Sequence, residues 1–134
     1  NKKMFKNHLF HGITAGLVSG IACYLFYSIL KDEFMYDFSK IITSMNLFGA
    51  CMFGSALASI GYFIAKKVTP KYSDILFNSV FTILVFASLI SPMLFKLPLD
   101  FDEYLTVIFP TYAMTMHFFP ALIWFALKPI FIRS

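Results

Sequence analysis

The sequence predicts an all-α integral membrane protein, a four-helix transmembrane bundle with both termini cytoplasmic. Three observations lead there: composition, the spacing of apolar runs and the distribution of charge. Hydrophobic residues make up 59% of the 134 residues and charged residues 13%, against about 25% charged in ordinary globular domains. A soluble core of this size cannot hide so much apolar surface, so lipid is the expected solvent. Four apolar runs, at about residues 9–30, 41–65, 75–95 and 105–127, match the ~20 residues a helix needs to cross hydrocarbon. The length fits one domain, residues 1–134.

Charge sets the expected orientation. Lys2, Lys3, Lys6, Lys66, Lys67, Lys71, Lys128 and Arg133 fall on one side of such a bundle, opposed by Asp74. Lys31, Lys40 and Lys96 fall on the other, among Asp32, Glu33, Asp37, Asp100, Asp102 and Glu103. Short loops rich in Lys and Arg stay in the cytoplasm, which predicts a multi-pass protein of a bacterial inner membrane with both ends inside. The net charge of +4 does not point to nucleic acid, because the basic residues lie in short clusters between apolar runs. Tyr24, Tyr27 and Tyr104 on the outer side and Tyr62, Tyr72 and Trp124 on the inner side fit interfacial aromatic belts.

The first run carries Gly12, Gly16 and Gly20 at four-residue spacing, widened by Ala15, Ser19 and Cys23. Each glycine costs a helix roughly 1 kcal/mol relative to Ala, so three in register read as a glycine-zipper packing face on which backbones approach closely. His8 and His11 precede it as an i, i+3 pair and read as headgroup contacts. Lys31-Asp32-Glu33 ends the helix, and residues 34–40 read as an interfacial loop.

The second run has its own small-residue stripe, Ala50, Gly54, Ala58, Gly61 and Ala65. Two stripes on consecutive helices predict a closely packed antiparallel pair. Lys66-Lys67 and Pro70 stop this helix, and Ser73 and Asp74 offer an N-cap and a favourable charge to the next. The third run is rich in β-branched residues and phenylalanine, with Pro92 near its end. The fourth contains Pro110 and Pro120, which free the carbonyls of Thr106 and Met116 and predict a bent helix, with Thr111 and Thr115 placed to re-satisfy them.

Chemistry is sparse. No Asp or Glu falls inside a predicted span, which weighs against carboxylate-coupled transport. Cys23 and Cys51 lack metal-type spacing and read as small buried residues. His117 is the ionisable side chain nearest the middle of a span, one helical turn from Met114. It reads as a neutral histidine bonded to a kink carbonyl or to Asn46 or Asn78, ahead of a soft-metal or haem ligand. Asp100, Asp102 and Glu103 read as a solvated helix start. No nucleophile elbow, phosphate loop or zinc spacing appears.

The expected function is therefore non-enzymatic, without cofactor or metal: an accessory or scaffolding subunit whose partners are the bilayer and a larger inner-membrane complex. The alternative is a homo-oligomeric channel or small-solute carrier lined by Asn46, Asn78 and His117. A weaker one is a haem-, quinone- or metal-binding redox subunit.

Overall fold

One stripe at i, i+4 spacing decides how the first helix is used. In a computed structural model, which describes residues 2–98 and 100–132, α1 runs Lys2–Phe34 and buries His8, His11, Gly12, Ala15, Gly16, Ser19, Gly20, Cys23 and Tyr27. That face meets α2 (Ser44–Val68) and α5 (Glu103–Phe131), while α3 (Ser73–Ser88) and the short α4 (Ile90–Leu94) pack beyond α2 and against α5. All the described elements are helical, and four helices are long and apolar enough to cross a membrane, α3 and α4 together forming the third. Arg133 and both terminal residues lie outside the described residues.

The neighbours are antiparallel. Gly12 faces Ser59 and Gly20 faces Phe48, so α2 descends as α1 rises. His11 meets Trp124 while Tyr27 meets Tyr112, which sets α5 antiparallel to α1 as well. Both termini of the bundle and the α2–α3 connection therefore share one end, called here the terminal end. The α1–α2 and α4–α5 connections share the other, the loop end.

The two small-residue stripes do not meet as predicted. A Cβ on Gly12 would fall 2.8 Å from Ser59 Oγ and 3.0 Å from the Ser55 carbonyl, and one on Gly16 would fall 2.8 Å from the Met52 Cα. On Gly20 it would overlap the Phe48 ring. The α1 glycines thus form a hollow filled by the Phe48, Met52, Ser55 and Ser59 face of α2. Large side chains seated in a glycine hollow bury more atoms than two bare stripes would, and dispersion follows atom contact. Of the second stripe, Ala58 lies in the core with Ala15, Tyr62, Phe77 and Trp124, and Gly61 meets the Phe77 ring. Ala50 is exposed, and a Cβ on Gly54 would meet nothing within 4 Å.

The α1–α2 connection also differs from a simple surface loop. Met35 turns the chain with φ 59°, and Phe38 then plugs the loop end, fully buried against Tyr27, Leu97, Phe109 and Tyr112. Asp37 ties the plug down, accepting from Tyr27 Oη and from the Ser39 N–H, both at 2.9 Å, with Lys31 at 3.2 Å.

The third span is interrupted. Pro92 has no N–H for the Ser88 carbonyl and crowds it, and the helix breaks at Leu89, whose N–H turns back to the Phe86 carbonyl at 3.1 Å. At its start, α3 begins at Ser73 itself. Tyr72 occupies the cap position without a side-chain bond, and Ser73 donates to the Pro70 carbonyl instead. By contrast α5 stays helical through Pro110, Pro120 and Pro129.

Candidate functional site

Three groups of polar side chains sit inside the bundle. At the terminal end, His8 and His11 are buried, 2% and 0% exposed, rather than facing headgroups. They share the buried face of α1 with Gly12 and Ala15, and α1 is already helical at Lys2. His11 Nε2 donates to the Trp124 carbonyl at 3.0 Å, and Trp124 Nε1 donates to Ser59 Oγ at 2.8 Å. Tyr62 Oη donates to Asp74 Oδ1 at 2.6 Å, and Lys128 pairs with the same oxygen while lying 4.1 Å over the Tyr62 ring. Helices α1, α2, α3 and α5 are thus pinned together by one connected cluster. Tyr62 and Trp124, expected in an aromatic belt, are its buried centre, and Tyr27 is likewise drawn inward by Asp37. Tyr24, Tyr72 and Tyr104 are exposed.

Halfway along the bundle, Cys51 Sγ donates to Cys23 Sγ at 3.7 Å, and Cys23 Sγ donates to the Met116 carbonyl at 3.9 Å. That carbonyl is the one Pro120 deprives of its intrahelical N–H. A thiol therefore does the work expected of Thr115, whose hydroxyl goes to the Thr111 carbonyl at 2.9 Å.

The third group lines an apolar groove of about 990 Å³ between α2, α3 and α5. Ala50 and Gly54 lie on its α2 wall, Ser88 on its α3 wall and His117 on its α5 wall. His117 is exposed to the groove, and its Nδ1 pairs with Ser88 Oγ at 3.0 Å. Neither Asn46 nor Asn78 is its partner. Asn46 sits in the first turn of α2, where its N–H bonds Thr43 Oγ1 at the loop end. Asn78 lies near the start of α3 at the terminal end, with its Oδ1 buried and unpartnered. At 1.5 Å per residue the two asparagines are roughly 25 Å apart along the bundle. Asn46 and His117 line the groove, and Asn78 does not. Ser88 was not singled out from sequence. Its position four residues before Pro92 was the available signal.

Among the described residues no three His, Cys, Asp or Glu side chains gather as a metal site. No family model matches the chain, and no curated protein or solved structure matches it.

Proposed function

We propose that this chain is a small non-enzymatic integral membrane protein of a bacterial inner membrane, both termini cytoplasmic, serving as an accessory or scaffolding subunit of a larger membrane complex. The observation that carries the reading is where its polar groups are spent. The terminal cluster and the thiol pair bond one helix of the chain to another, and the pore candidates Asn46 and Asn78 stand at opposite ends of the bundle. A water path needs such groups along one continuous lining, which Asn78 does not share with Asn46 and His117, whereas a scaffold needs them sealed. The partner is a transmembrane helix of the complex. It approaches the α2 wall at Ala50 and Gly54, where bare backbone is open to close contact.

Gly12, Gly16 and Gly20 are filled by α2, so bulky residues there unfold the bundle rather than release a partner. Purification from native membranes in mild detergent should yield the chain with a larger membrane protein, and Gly54→Leu should release it with little loss of thermal stability. The chain alone in liposomes should carry no ion or solute flux. A robust flux abolished by His117→Ala or Asn78→Ala would replace this reading with the channel.

A further inference from the structure

The groove between α2, α3 and α5 holds a hydrogen-bond acceptor that the chain itself leaves unused. Ser88 has one hydroxyl proton, and it goes to the Val85 carbonyl at 2.6 Å. The 3.0 Å contact between Ser88 Oγ and His117 Nδ1 must then be made by the imidazole, with Nδ1–H donating. A neutral imidazole has a single N–H, and no Asp or Glu lines the groove to stabilise a second proton. Nε2 is left as a bare lone pair, without a hydrogen bond among the described residues.

A further unpartnered polar atom lies beside the groove, on the face of α2 that meets α1. Ser55 lines it from α2, is 1% exposed, and its Oγ is buried with no partner. Ser55 and His117 both lie near the middle of their helices. A cleft of about 990 Å³ with apolar walls and the Ser88–His117 pair on its lining has the size and character of a small-molecule site between helices.

We propose that this groove, in the chain free of the partner helix that would cover its Ala50 and Gly54 wall, binds a lipid-soluble molecule with a hydroxyl donor, an alcohol or phenol on an apolar body, which donates to His117 Nε2. Among the described residues no charged side chain lines the groove, so a charged head would be buried without a partner. A ligand lacking a donor would leave the imidazole lone pair unpaired, and an unmade buried bond is penalised. Ser88 is the positioning residue, because its engaged hydroxyl fixes which imidazole nitrogen is free.

The test uses the chain alone, labelled with ¹⁵N-histidine in lipid nanodiscs, so its outcome is independent of any docking partner. The probes are 4-nonylphenol and its methyl ether, which differ in the donor. Histidine NMR should report His117 as the Nδ1–H tautomer. The phenol should shift the Nε2 resonance and bind about tenfold more tightly than the ether, a factor matching one ordinary hydrogen bond. Ser88→Ala should release the tautomer and, like His117→Ala, bring the phenol down to the ether's affinity. An Nε2–H tautomer in the unmodified protein, or equal affinity for phenol and ether, overturns the proposal.

Discussion

Gly16 is the position on α1 least able to accept a side chain. A Cβ there would press on the Met52 Cα, which cannot move without moving α2, whereas at Gly20 it would press on the Phe48 ring, which can swing aside. Overpacking of this kind costs about 1–3 kcal/mol, so Gly16→Ala should lower the melting temperature in detergent more than Gly20→Ala. Gly16→Leu should be severe and Val18→Leu, on an exposed face, mild. Equal effects along the series would mean that the close approach does not hold the pair together. Cys23 gives a complementary case. Cys23→Ala leaves the Met116 carbonyl without a donor and should cost about 1–3 kcal/mol, while Cys23→Ser keeps a donor and should recover most of it in the same melting experiment. Asp37 adds a pH dependence. Hydrogen bonds from the Ser39 hydroxyl and N–H, then from Tyr27 and Lys31, hold its carboxyl well below the usual carboxylate range. The folded state therefore gains from ionised Asp37 above about pH 4, and that gain fades as the pH falls further. The gap between the melting curves of the protein and Asp37→Asn should stay constant from pH 6 to about pH 4 and narrow progressively from there toward pH 2; a gap that does not narrow would remove Asp37 from the loop's stability.

At the scale of elements, Pro92 decides the shape of the third span. With an alanine there the Ser88 carbonyl would regain a donor, and α3 should run on through Leu89 into α4. Pro92→Ala should therefore slow amide exchange around Leu89 and Pro92's neighbours while leaving α1 and α2 unchanged, and unaltered exchange at Leu89 would place the cause of the break elsewhere. Hydrophobic run length made the long apolar helices legible, the last three within a few residues, although α1 begins well before its run, at Lys2; proline chemistry identified Met116 as a freed carbonyl. The face of α2 that α1 takes was not legible. Both the Phe48–Met52–Ser55–Ser59 face and the Ala50–Gly54–Ala58–Gly61 face repeat at helical spacing, and periodicity cannot rank two such faces. Shape does, because the α1 glycines make a hollow and only the first face carries side chains to fill it. The Phe38 plug was hidden for a related reason: a phenylalanine flanked by Asp37 and Ser39 reads as interfacial until those two are seen to cap the loop themselves.

For the whole molecule, the antiparallel packing turns the charge pattern into a single test. Lys66, Lys67 and Lys71 share the terminal end with Lys2, Lys3, Lys6 and Lys128, while Lys31, Lys40 and Lys96 share the loop end with most of the carboxylates. Of the site, the sequence carried His117 and its position beside Pro120; its partner depended on a break in another helix, and the buried roles of His8 and His11 depended on helix α1 beginning before the apolar run does. The seven lysines at the terminal end resist translocation together, because each would otherwise have to be carried across hydrocarbon. Asp74 offsets one of them at most, since its carboxylate is paired with Lys128 and accepts from Tyr62. Reporter fusions at Lys67 should therefore be cytoplasmic, and fusions at Tyr36 and Asp102 external. Replacing Lys66, Lys67 and Lys71 together with glutamine should weaken that preference, whereas replacing Lys31, Lys40 and Lys96 should leave it intact. A reporter at Lys67 that is external, or split between the two sides, would reject the fixed orientation.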